Sequence, residues 1–249
     1  MDVVPFLQKT HTYYLAQRTR DRLLLAKRMS FYSQFVGKGD LCFDVGANLG
    51  NRTEVFLLLG ARVVAVEPQE DCVRYLEKRF GGNSAVVLIK KGLGAQEGTL
   101  PLAVCTHVGA SSMSKEWMNK VSLSGRLAKS VKWEKNVIVQ VTTLDALIAA
   151  YGLPSFCKID VEGFEYEVIK GLSRPIPRLS FEFTPEVIDT ALAVVRYLGR
   201  VGDYEFNFSS GDSMGLVAGG WQSPNEIANS LTSLSQGGVF GDVYARLSF

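Results

Sequence analysis

The sequence predicts a doubly wound α/β fold on a mostly parallel sheet, and three observations carry that reading. Apolar runs of strand length alternate with stretches of helical period through the middle of the chain, which is how successive βαβ units read. One run, Leu41-Cys42-Phe43-Asp44-Val45, breaks into the turn Gly46-Ala47-Asn48-Leu49-Gly50 and continues as a helix from Asn51 to Leu59. That arrangement presents bare backbone N–H groups and a helix N-terminus to a ligand. Third, four acids (Asp44, Glu67, Asp160 and Glu182) fall at or near the carboxyl ends of expected strands. Ligands of such sheets bind outside those ends, where the strand order reverses, so the four acids are expected around one crevice.

The totals allow a single domain. A chain of 249 residues with 47% apolar content can bury a full core. A net charge of +2 gives no argument for nucleic acid or membrane. The four cysteines, Cys42, Cys72, Cys105 and Cys157, form no CxxC pair and read as buried thiols in a reducing compartment. Residues 1–30 are interrupted by charge, and no apolar run reaches membrane-spanning length, so the expectation is a cytoplasmic protein.

Residues 1–38 are expected to form an N-terminal helical extension, with 39–249 as the main domain and an insertion around 106–136. Tyr14, Leu15, Leu23, Leu24, Leu25 and Phe31 give the extension a helical apolar stripe. Residues 1–40 carry +4 and the remainder −2; the basic face is either solvated, or a lid or surface for an acidic substrate or lipid headgroups. After the glycine turn and its helix, Arg62 to Val66 reads as the second strand and ends at Glu67. A helix over Glu70–Phe80, closed by Gly81-Gly82, precedes a strand over Ala85–Ile89 and a β extension over Gly98–Cys105. Residues 106–136 lack a clear period, which marks a functional loop or an excursion. A strand over Val137–Val141 follows, then a helix capped by Thr143 and running through Tyr151. Phe156 to Ile159 is a buried strand ending in Asp160-Val161-Glu162-Gly163, followed by a helix over Phe164–Lys170. Arg178 to Phe183 is a strand carrying Glu182, and Thr184-Pro185-Glu186 opens a helix through Tyr197. A strand over 204–208, a glycine-rich loop over 211–220, a helix over 224–234 and a last strand over Asp242–Leu247 complete the chain.

Glu67 lies about twenty residues past the glycine turn, where a carboxylate accepts hydrogen bonds from the two hydroxyls of a ribose. The dinucleotide fingerprint G-x-G-x-x-G is not met, because the turn is Gly46-x-Asn48-x-Gly50 with Asp44 before it. An acid there repels a diphosphate and suits the ammonium and sulfonium of S-adenosylmethionine.

FDVGANLG (43–50), AVEP (65–68), KGLGAQEGTLPL (91–102) and KIDVEGFEYEVIKGL (158–172), in this order, resemble the FkbM-type methyltransferases of the S-adenosylmethionine-dependent class I. The likeness covers roughly 40–185 and the final strand. It implies a seven-stranded sheet, six strands parallel and the last antiparallel. It also implies methyl transfer to a hydroxyl of a sugar, polyketide or other small metabolite. On the matching positions, Asp44, Gly46, Asn48 and Gly50 would hold the methionine end of S-adenosylmethionine. Glu67 would bind the ribose, and Gly92 and Leu93 would border the adenine. Asp160 would face the amino-acid part of the cofactor or the acceptor.

Transfer to oxygen requires a group that takes the hydroxyl proton; Asp160, Glu162, Glu182 and His107 are the candidates. Asp160 and Glu162 lie two apart and would share one face of an extended segment, each raising the other's pKa. Glu162 as a helix-capping acid is the structural alternative. No metal-ligand motif is assigned, although Asp160 and Glu162 are a pair that would suit magnesium rather than zinc. Ser111-Ser112 with Trp117 either shapes the acceptor mouth or is an ordinary polar loop with a packed aromatic. Expected partners are a small-molecule hydroxyl acceptor, with no nucleic acid and no stable membrane insertion; a homo-oligomer is left open. A nicotinamide-dependent oxidoreductase and a non-catalytic cofactor-binding module are the competing readings.

Overall fold

The computed structural model describes residues 24–106, 109–128, 130–211 and 213–248. Among these, residues 24–32 are helical (α1), and β1 (Leu41–Val45), α2 (Asn51–Leu58), β2 (Arg62–Val66), α3 (Glu70–Phe80) and β3 (Val86–Ile89) follow. An excursion then contributes β4 (Gly92–Leu93), β5 (Gly98–Cys105), α4 (Lys115–Ser124) and β6 (Trp133–Thr142). The chain returns through α5 (Leu144–Tyr151), β7 (Phe156–Ile159), α6 (Glu165–Lys170) and β8 (Arg178–Phe183). It ends with α7 (Ile188–Val201), β9 (Tyr204–Ser210), α8 (Pro224–Gln236) and β10 (Gly241–Leu247).

Among the described residues the strands form a seven-stranded sheet, ordered β3-β2-β1-β7-β8-β10-β9, and a three-stranded one, β4-β6-β5. In the large sheet β10 runs antiparallel to both neighbours, and the pairings among β1, β2, β3, β7 and β8 are parallel. The order reverses between β1 and β7, whose ends are aligned by the Asp44–Lys158 and Val45–Ile159 pairs. A crevice therefore opens beyond Val45 and Ile159, as the doubly wound rule requires.

Alternation along β1 divides the core. Leu41, Phe43 and Val45 enter the cluster packed under α5, α6, α7 and α8. Cys42 enters the opposite cluster with Phe56, Leu76, Phe156 and Tyr244. Burial on both faces is why β1 reads as a nearly continuous apolar run. The second cluster also takes Phe31, Tyr32, Phe35 and Val36. Phe35 stacks on Phe156 and Tyr244, and Tyr32 meets Phe56 edge-on, so α1 and the turn after it pack into the core.

The excursion holds more order than its sequence suggests. Ser114 accepts the Trp117 N–H at the start of α4, and β6 begins at Trp133, four residues before the expected strand. Its first residues are polar because that end is mostly exposed. The segment expected to open as a helix at Thr184-Pro185 makes a 3-10 turn over Pro185–Val187 before α7. All four cysteines are buried, and none of them is in a disulfide. Among the described residues no helix is long and apolar enough to cross a membrane.

Candidate active site

The turn after β1 is built for close approach. At Gly46 (φ 80°) a Cβ would overlap the Asp160 carbonyl, so a side chain there would push apart the ends of β1 and β7. Asn48 is left-handed (φ 49°), a conformation asparagine tolerates better than most residues. Gly50, also left-handed, lies outside the cavity; a Cβ there would run into Phe80 and Leu76, so it serves the packing of α2 on α3. Asp44 is buried and accepts the Thr53 hydroxyl at 2.5 Å. Burial raises its pKa, against the pull of Thr53 and Arg52.

Glu67 joins the tips of two strands. Its Oε2 accepts the Asn48 N–H and its Oε1 accepts the Gln69 N–H, both at 2.8 Å. Burial still pushes its pKa up to about 7, over the lowering effect of both N–H groups. A carboxylate oxygen takes two hydrogen bonds, so each keeps acceptor capacity toward the cavity that Glu67 lines. That cavity has a volume of about 540 Å³ and is bounded by Asp44, Gly46, Asn48, Gly92, Leu93 and Asp160 among others. Small-molecule sites fall in this size range.

Three acids meet where β7 and β8 end. One carboxylate oxygen each from Asp160, Glu162 and Glu182 lies within 4.8 Å of the other two. Asp160 and Glu162 line the cavity, and Glu182 stands outside its lining. Their meeting does not come from a shared strand face: β7 stops at Ile159, and Glu162 is left-handed (φ 53°). Glu162 does not cap the next helix either. Glu165 Oε1 accepts the N–H groups of Val161 and Gly163 at 3.1 and 3.2 Å instead. The Ser112 hydroxyl donates to the Glu162 carbonyl at 2.7 Å, and Gly163 (φ 86°) lies against Trp117, which is buried. Burial, then the charges of Asp160 and Glu165, hold the Glu162 carboxyl well above its ordinary pKa. Burial, then Glu162 and Asp160, do the same to Glu182.

Sequence reading missed the cations. Lys158, fully buried on β7, donates to Asp242 at 2.6 Å and lies 3.3 Å from Asp160. Burial opposes its charge, but Asp160 and Asp242 outweigh that and leave its pKa above the ordinary value. A lysine inside the apolar strand Phe156-Cys157-Lys158-Ile159 was the available signal, since a charge so placed requires partners. Arg28 of α1 and Arg52 of α2 also line the cavity, and Arg52 Nε donates to the Tyr32 hydroxyl at 3.1 Å. His107 lies outside the described residues.

Comparisons with known proteins agree with this geometry. A sequence model of the methyltransferase FkbM domain matches residues 44–206. Methyltransferase sdnD of Sordaria araneosa is 28% identical over 210 residues, 64% of this chain and 78% of that protein. Hexuronic acid methyltransferase AglP of Haloferax volcanii is 26% identical over 145 residues, 57% of this chain and 54% of that protein. The crystal structure of methyltransferase FkbM from Methylobacillus flagellatus KT shares the fold, with a TM-score of 0.50 and 16% identity. That match covers 83% of this chain and 43% of the crystallised one. With the family pattern running from Asp44, through the glycine turn, to Phe206, the chain belongs to the FkbM methyltransferase family.

Proposed function

We propose that the protein is an S-adenosylmethionine-dependent O-methyltransferase acting on a hydroxyl of a small molecule, such as a sugar or polyketide. The observation that carries this reading is one cavity at the β1–β7 switch point, which Asp44, Glu67, Asp160 and Glu162 all line. Its donor set fits the cofactor: Glu67 offers acceptors for two ribose hydroxyls, Asp44 and Asp160 offer charge to an ammonium, and Leu93 offers an apolar wall to a base. S-adenosylmethionine, when bound, supplies a methyl group on a cationic sulfur. The chain's own work is to hold the acceptor in line at near-attack distance, exclude water and receive the hydroxyl proton. Glu162 is the group we assign to the proton, because it lines the cavity while its neighbour Asp160 is held by Lys158.

Titration calorimetry with S-adenosylhomocysteine tests the reading. One site per chain is expected, with affinity at least tenfold weaker in Glu67→Ala. Folded protein that takes up no S-adenosylhomocysteine overturns it, and an absorbance change with NADH would favour an oxidoreductase instead. An acceptor bearing a carboxylate is a second reading, favoured by Arg28 and Arg52 on the cavity wall and in keeping with the substrate in the name of AglP. Preference for a uronic acid over the matching neutral sugar in a methyl-release assay separates the two.

A further inference from the structure

Beyond β7 three acids crowd together. Asp160, Glu162 and Glu182 bring one oxygen each to within 4.8 Å of one another. Lys158, the buried cation beside them, is divided between Asp160 and Asp242, at 3.3 and 2.6 Å. Glu182 Oε2 is buried and has no hydrogen-bond partner among the described residues. A second, separate oxygen points the same way. Thr184 is 3% exposed, and its hydroxyl has no partner among the described residues. Extended backbone at Thr184 (φ −129°, ψ 142°) directs it to the same side of the chain as Glu182. Buried oxygens are almost always satisfied by protein, water or an ion. Here two, on residues two apart in the chain, are left over, and one of them belongs to the three-carboxylate cluster.

The ligand chemistry is specific. The cluster offers oxygen alone, with no histidine and no thiolate among its members, which selects hard cations such as Mg²⁺, Mn²⁺ or Ca²⁺ over zinc. The three carboxylates come from two segments, the turn after β7 and strand β8. Asp160 and Glu162 also line the cavity while Glu182 backs them, so an ion held there is bound from behind and bare in front.

We propose that Asp160, Glu162 and Glu182 form a binding site for one hard divalent cation whose remaining coordination positions open into the cavity. The site stands on these oxygens alone and does not depend on the methyl donor. Resting on the proposed function, its consequence is that the ion lies where an acceptor hydroxyl would lose its proton.

Manganese titration of the full chain tests the proposal, with free Mn²⁺ followed by its paramagnetic resonance and bound Mn²⁺ by water-proton relaxation. One Mn²⁺ per chain is expected, displaced by excess Mg²⁺. Enhanced relaxation is expected too, because water occupies the open positions. Glu182→Gln should weaken Mn²⁺ at least tenfold while S-adenosylhomocysteine affinity changes less than threefold; thermal melts confirm that the variant is folded, and Asp160→Asn provides a second weakened variant. No bound Mn²⁺ at millimolar concentration, affinity unchanged in both folded variants, or binding without relaxation enhancement overturns the proposal. Manganese binding in a protein that fails to take up S-adenosylhomocysteine would overturn the methyltransfer reading and leave the cation site standing.

Discussion

Glu67 shows how one side chain couples local structure to ligand choice. Its pKa of about 7 in the fold exceeds the ordinary 4.5, so between those values the native state keeps a proton that the unfolded chain has released. Stability of the free protein therefore falls as pH rises from about 4.5 to 7, with Glu67 contributing up to about 3 kcal/mol. Chemical denaturation at pH 5, 6, 7 and 8 checks this, and Glu67→Gln should flatten the trend. Under the proposed function ribose hydroxyls would donate to the ionised form, so affinity for S-adenosylhomocysteine should rise by up to tenfold per pH unit below 7 and level above it. Glu67 was legible in the sequence because a strand, a glycine turn and an acid at fixed spacing determine its place. Glu162 was legible as a residue but not as a conformation. A left-handed glutamate is rare, and sequence rules assign such a position to extended chain or to a helix cap.

The βαβ elements were readable because their two periods are strong and their turns contain glycine. The excursion was not, since the exposed start of β6 carries polar residues (Glu134-Lys135-Asn136) and its strand partner β5 lies a whole helix away in sequence. The turn from Asp160 to Gly163 depends on that excursion. A Cβ at Gly163 would overlap Trp117, which is 1% exposed, and the position is left-handed (φ 86°). Backbone strain of about 1 kcal/mol and overpacking of about 1–3 kcal/mol add. Gly163→Ala is expected to lose about 2–4 kcal/mol in chemical denaturation, and a loss below 0.5 kcal/mol, on the order of an unremarkable surface change, would show that α4 does not brace this turn.

At the scale of the molecule, the sheet needs cover on both faces, and α1 with the turn after it supplies part of one. Phe31, Tyr32, Phe35 and Val36 are each 5% exposed or less. At about 1.5–3 kcal/mol per buried side chain, their removal costs about as much as a domain's whole stability of roughly 5–15 kcal/mol. A chain starting at residue 39 should therefore show no cooperative melt; a melt within about 5 °C of the full chain would make this segment an accessory. The boundary expected at 38/39 followed a change in charge, whereas burial links the two sides of it. The number and direction of strands were legible only through the family likeness, and their order was not, because spacing reveals which segments are strands and not which of them are neighbours.

The tie from Ser112 to the Glu162 carbonyl spans fifty residues of chain and ends on backbone, not on the reactive carboxyl. Under the proposed function, altering residues 109–113 to admit a bulkier guest would therefore disturb how fast the proton leaves, while Gly92 and Leu93, the part of the excursion proposed to border the adenine, stay untouched. On that reading, appetite for a new acceptor and turnover on it would be adjusted through the same serine.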